Sequence, residues 1–198
     1  MELDLKYLLG IAKYAALKAG GIINASLGKE LNVQLKGEGL SLASSAVTEV
    51  ALLAQSAIFE VLKESIERFD LGLLSEEQLD NKSRFVKDFF WCVDPLDGTL
   101  PFTEQVEGYS VAIALVSKIG TPVLGVIYDP FRNNLYEARV GRGVFKNEVP
   151  YQVERSNNQF TFITDRSFMK TGDFDTFIQK LKVAAKDKGL NDFKIISH

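Results

Sequence analysis

Between Tyr109 and Val140, three apolar segments are joined by connections of no more than six residues, and this spacing constrains the chain most. Tyr109–Ser117, Pro122–Tyr128 and Leu135–Val140 read as strands, linked through Lys118–Thr121 and Pro130–Asn134. Links this short have no room for a crossover helix, so neighbouring strands must run antiparallel. Gly141-Arg142-Gly143 reads as a further turn. The middle of the chain is therefore expected to be an antiparallel sheet.

Two helices precede it. From Leu3 to Ser26 the apolar residues Leu5, Leu8, Leu9, Ala12, Ala16 and Ile23 recur at helical spacing. Gly20-Gly21 is expected to weaken or bend the end of this helix. Val47–Phe69 reads as a second helix, with a stripe of Val50, Leu53, Ala54, Ala57, Ile58, Val61 and Leu62 and a cap at Thr48, Ser44 or Ser45. Between the helices, Asn32–Lys36 suggests a short strand and Gly37–Ser45 a loop. After them, Leu71–Leu74 reads as a short strand, then a polar loop runs to Lys87, and Phe89–Val93 reads as a strand delivering Asp94 to its end.

Near Ser156 the pattern changes. Phe160–Thr164 reads as a strand, Asp173–Lys188 as an amphipathic helix stopped at Gly189, and Phe193–Ile196 as another strand. The expected domains are residues 1–155, α+β with an antiparallel sheet, and 156–198, the start of a second α/β domain. One helix covers only one face of a sheet, so this second domain is expected to be incomplete.

The chain has 198 residues, 46% hydrophobic, with a net charge of −3. The balance suits a globular core and offers no basic stripe for a nucleic-acid polymer. The single cysteine, Cys92, excludes an internal disulfide, suits a reducing cytoplasm, and reads as a buried strand residue. The single histidine is the last residue, His198, which argues against His-dependent nucleophilic catalysis and His-ligated zinc. Acidic residues near the start and interrupting lysines argue against a signal peptide, and no run is long enough to span a membrane.

The chemistry concentrates in Trp91-Cys92-Val93-Asp94-Pro95-Leu96-Asp97-Gly98-Thr99. An apolar strand ends on Asp94, Pro95 sets a turn, Asp97 returns towards Asp94, and Gly98 permits close backbone approach. Thr99 can open a short helix whose first N–H groups attract anions. Two carboxylates held together call for a cation, and oxygen-only ligands favour Mg²⁺. Glu76-Glu77, just after another short strand, offers a third carboxylate for metal-assisted phosphate hydrolysis. Taken alone, Asp-Pro-x-Asp-Gly is also ordinary turn chemistry, and a Glu-Glu pair is commonly solvated surface.

Asp94-Pro95-Leu96-Asp97-Gly98-Thr99, with Leu74-Ser75-Glu76-Glu77 upstream, resembles the inositol monophosphatase superfamily of lithium-sensitive, Mg²⁺-dependent phosphatases. With Val111–Leu115, Pro122–Tyr128 and Thr164-Asp165-Arg166-Ser167, the wording looks most like the 3'(2'),5'-bisphosphate nucleotidase branch. The resemblance implies an α+β fold, a layered α/β/α/β/α sandwich of the sugar-phosphatase type with its second domain truncated. It implies that Glu76, Asp94 and the Leu96 carbonyl hold one Mg²⁺, that Asp94 and Asp97 share a second, and that Li⁺ inhibits. Gly98 and Thr99 would take the phosphate, with Asp97 beside it, and the catalytic roles would fall to Glu76 and to the Thr99 hydroxyl, which would orient water. A small phosphorylated substrate and a homodimer are further implications.

Two departures stand out. The family's Val-Thr-x-x-Asp segment corresponds here to Val47-Thr48-Glu49-Val50-Ala51, so a water-positioning carboxylate is replaced by Ala51. The late Trp-Asp motif of the family has no counterpart. Loss of a general base removes about two to four powers of ten in rate. Glu49 points in a different helical direction from Ala51 and is not expected to replace it. A non-catalytic binder of Mg²⁺ and phosphoesters, or an interaction module, is therefore the rival expectation.

Overall fold

The structure, a computed structural model, describes residues 3–27, 33–35, 46–152, 159–164 and 167–197. It divides into two compact units, one holding the described residues through Gln152 and the other those from Gln159 onward.

The first unit opens with α1 (Leu5–Ser26), capped by Asp4, whose carboxylate accepts from the amides of Lys6 and Tyr7 at 3.1 and 3.0 Å. A small antiparallel pair follows, β1 (Val33–Leu35) with β2 (Ala46–Thr48), and then α2 (Glu49–Phe69). The second helix starts two residues later than its apolar pattern suggests, because β2 takes the backbone through Thr48. Ser44, Ser45 and the Gly37–Ser45 loop lie outside the described residues.

A seven-stranded sheet comes next. Its strands are β3 (Gly72–Ser75), β4 (Phe89–Asp97), β5 (Ser110–Ser117), β6 (Pro122–Asp129), β7 (Asn134–Arg139), β8 (Gly143–Lys146) and β9 (Val149–Tyr151), lying side by side in that order. A one-turn helix, α3 (Thr99–Thr103), interrupts the run between β4 and β5. From β4 to β9 every pairing is antiparallel, as the short connections require. The β3–β4 pairing is parallel. After β3 the chain returns through a segment holding a 3₁₀ turn, Ser83–Phe85, and enters β4 in the direction it took through β3. That turn also covers the sheet edge, since the Ser83 hydroxyl accepts from the Leu73 amide at 3.0 Å.

Alternation along the strands decides which face meets the helices. Trp91 and Val93, Val111, Ile113 and Leu115, and Leu124 and Val126 are buried and form one core cluster with Leu8, Ala12, Ala16 and Ile23 of α1 and Ala54, Ile58 and Leu62 of α2. The Trp91 indole N–H donates to the buried Ser65 hydroxyl at 3.0 Å, so the largest core side chain brings no unsatisfied donor. The other face carries Cys92, Ala112, Ala114, Gly125 and Ala138, which the strand register places in neighbouring rows. Cys92 is thus half-buried on this second face rather than in the helix-covered core, and burial pushes its thiol pKa up.

Helix α1 continues through Gly20-Gly21 to Ser26 without a break. The two glycines differ. A Cβ at Gly20 would lie 2.2 Å from the Tyr128 ring, whereas nothing lies within 4 Å of one at Gly21. The ring cannot easily yield, because the Tyr128 hydroxyl is held by Asn133 at 2.9 Å. Gly20→Ala is therefore expected to destabilise by about 1–3 kcal/mol through overpacking. Gly21→Ala should stabilise by about 0.5–1 kcal/mol through helix propensity. Urea unfolding of the two variants checks the opposite signs.

The second unit contains β10 (Gln159–Thr164), α4 (Phe174–Asp187) and β11 (Asp192–Ser197). β10 and β11 pair in parallel from Gln159↔Asp192 to Thr164↔Ser197. Phe160 stacks on Phe193 at 5.3 Å between ring centres, and Phe162 meets Phe177 of α4 at 5.5 Å. Asp165, Arg166 and His198 lie outside the described residues. No helix among the described residues is long and apolar enough to cross a membrane.

Candidate active site

The parallel pairing of β3 with β4 brings the two acidic segments together. Ser75 sits opposite Val93, and the Glu76 amide extends the ladder by donating to the Val93 carbonyl at 3.2 Å. Glu76 therefore lies beside Asp94, close enough for each carboxyl group to act on the other. Burial, then the Glu76 carboxylate, then Asp97 raise the Asp94 pKa from 3.8 to about 7, against the opposing pull of the Leu96 amide, which donates to Asp94 Oδ1 at 3.1 Å.

The ladder between β4 and β5 is irregular between Asp94 and Asp97, where Pro95 removes a donor. Asp97 resumes pairing opposite Ser110 and is exposed at the strand end. Gly98 then adopts φ +82° and ψ +44° at the entry to α3. A Cβ there would lie 2.3 Å from the Gly108 carbonyl oxygen and 3.0 Å from the Tyr109 Cα. Only glycine fits this turn, both for its backbone angle and for the chain pressed against it. The Thr99 hydroxyl donates to the Leu96 carbonyl at 3.3 Å, which ties the start of α3 to the carbonyl beside the acidic pair.

These side chains fit a hard divalent cation in one respect. Burial and repulsion between two adjacent carboxyl groups, which raise the Asp94 pKa, make this a place that a cation would relieve, and its donors are all oxygen. The gathering is less complete than the sequence suggests. Among the described residues no group of three or more acidic, Cys or His side chains is close enough to hold a metal together. Glu76 and Asp94 meet, while Asp97 acts on Asp94 electrostatically from beyond the Pro95 irregularity.

Behind the pair lies a residue that no sequence motif singles out. Gln55 of α2 is buried, accepts from the Ser75 hydroxyl at 2.5 Å, and donates to the Glu77 carbonyl at 3.5 Å. Ala51, one turn earlier on the same helix face, is 2% exposed, whereas Glu49 is exposed on another side. A groove of about 640 Å³ runs from Glu76 and Asp94 over the second sheet face, between Leu74, Ile127 and Tyr136.

The inositol monophosphatase family model matches residues 4–196. The chain belongs to the inositol monophosphatase family. The inositol-1-monophosphatase of Synechocystis sp. is 35% identical over 174 residues, which cover 85% of this chain and 54% of that protein. The Nus factor SuhB of Escherichia coli K12 is 31% identical over 140 residues, covering 71% of this chain and 50% of that protein. Among solved structures, CysQ from Bacteroides thetaiotaomicron, a bacterial member of the family, matches with a TM-score of 0.72 and 29% identity, over 99% of this chain and 74% of that one. The suhB protein of Bartonella henselae matches with a TM-score of 0.75 and 26% identity, over 96% and 70%. The mixed α+β fold is thus that of the family. The chain spans about half the length of the curated relatives it matches.

Proposed function

We propose that this inositol monophosphatase family chain carries the cation-and-phosphate part of a Mg²⁺-dependent phosphomonoesterase site. The observation that carries the reading is the pairing of β3 with β4, which sets the Glu76 and Asp94 carboxyl groups side by side next to the Leu96–Thr99 turn. Bound there, Mg²⁺ would neutralise phosphoryl oxygens and acidify a water. Glu76, Asp94 and the Leu96 carbonyl would hold one ion, and Asp97 would join Asp94 in holding a second. The amides of Gly98 and Thr99 would receive the phosphate, and the Thr99 hydroxyl, free to exchange its bond to Leu96, would orient water. Substrate would be a small phosphomonoester, either a 3'(2'),5'-bisphosphate nucleotide or inositol monophosphate.

Phosphate release from adenosine 3',5'-bisphosphate and from inositol 1-phosphate tests this reading. Release should require Mg²⁺, fall with Li⁺, and disappear in Asp94→Asn. Turnover that persists in EDTA, or that survives Asp94→Asn, would contradict it. Ala51 favours a second reading, in which the chain binds Mg²⁺ and phosphoesters without turnover. In that case Mg²⁺ raises the melting temperature while neither substrate releases phosphate.

A further inference from the structure

Of the four polar side chains buried among the described residues, Ser26 and Ser65 donate to carbonyls of their own helices, Ile22 at 2.9 Å and Leu62 at 2.6 Å. The other two, Gln55 and Ser75, bond to each other across two elements. Burying a side-chain amide and a hydroxyl costs stability unless both are satisfied, and an apolar pair would fill the same space without that cost. The arrangement is directional. The Gln55 carbonyl oxygen takes the Ser75 hydroxyl, and its amide group reaches the Glu77 carbonyl. One side chain thus grips the residues on both sides of Glu76, while the Glu76 amide is held by Val93.

We propose that Gln55 is a positioning residue that sets where the Glu76 carboxylate stands relative to Asp94, and so sets the affinity of this pair for a divalent cation. The proposal rests on the reading of Glu76 and Asp94 as cation ligands. Gln55 touches neither carboxylate; it acts through the backbone that carries one of them. Partners that orient metal ligands in this way typically change metal affinity about 10–100-fold when removed.

The test is calorimetric titration of MgCl₂ into the wild-type chain, Gln55→Met and Ser75→Ala, with melting temperatures recorded in EDTA. Gln55→Met keeps the length of the side chain and removes both polar contacts; Ser75→Ala removes only the hydroxyl. Both variants should bind Mg²⁺ about 10–100-fold more weakly than wild type. Equal Mg²⁺ affinity in a folded variant with a lower melting temperature would reduce Gln55 to a structural role and overturn the proposal. If Gln55→Met does not fold, Ser75→Ala decides by the same criterion. Failure of the wild type itself to bind Mg²⁺ would instead refute the assignment of the Glu76–Asp94 pair.

Discussion

Asp94→Asn should make the metal-free protein more stable at pH 8, although it removes a residue at the centre of the site. The Asp94 carboxyl titrates near 7 in the folded chain, against 3.8 for an ordinary aspartate. Between those values the folded state holds a proton that the unfolded chain has already released. Stability is therefore full below about pH 4 and falls as the pH rises through 7. At pH 8 the native protein must hold two unprotonated carboxylates side by side, and Asn relieves this. The gain is about 1–2 kcal/mol once solvent screening of this partly exposed pair is allowed for. Saturating Mg²⁺ should reverse the order, stabilising wild type far more than Asp94→Asn. Thermal melts at pH 5 and pH 8, with EDTA or Mg²⁺, give the four comparisons needed.

Gly98→Ala should have the larger structural effect. Its φ of +82° places any L side chain in left-handed backbone, and the added Cβ would sit 2.3 Å from the Gly108 carbonyl oxygen. Both obstacles are backbone, so no rotamer change can relieve them. The Tyr109 ring, locked edge-on between Phe102 at 5.4 Å and Phe131 at 6.3 Å, resists any shift of the opposing strand. Strained backbone and overpacking together put the loss at about 2–5 kcal/mol. The relief of either requires α3 to move, so the protein that does fold should show none of the proposed Mg²⁺-dependent phosphate binding. Denaturant unfolding gives the first number, and phosphate titration with and without Mg²⁺ gives the second.

Elements whose burial repeats locally were legible in the sequence. The stripe of α1, the stripe of α2 and the tight links between β5, β6 and β7 each declare themselves within a few residues. The β8–β9 hairpin did not. Val149, Pro150 and Tyr151 are all exposed, so no alternation marks the strand, and only the turn at Asn147 and Glu148, with φ of +49° and +68°, hints at it. The parallel β3–β4 pairing was hidden for another reason. It joins segments separated by a long polar connection, and nothing local to Glu76 or to Asp94 states which edge of the sheet they share. The motif named both residues, but their meeting is a property of the topology.

Gln55 was invisible because a glutamine on an amphipathic helix ordinarily faces water. Its one sequence signal is its position four residues after Ala51, on the face the family pattern directs towards the acidic segment. Cys92 is a strand residue, as expected, but half-buried rather than buried, for a similar reason. The run Phe89–Val93 is apolar throughout, and only the observed alternation shows that Trp91 and Val93 take the helix side and leave Cys92 to the groove.

Proton release on Mg²⁺ binding tests the central claim most directly. Titrating MgCl₂ at pH 7 in two buffers of different ionisation enthalpy measures how many protons leave as the ion enters. If the cation displaces the proton that Asp94 holds, wild type should release on the order of half a proton per ion, since the Asp94 carboxyl is raised to about that pH. Asp94→Asn should release none and bind weakly. Binding with no proton release in wild type, or unchanged binding by Asp94→Asn, would place the cation elsewhere.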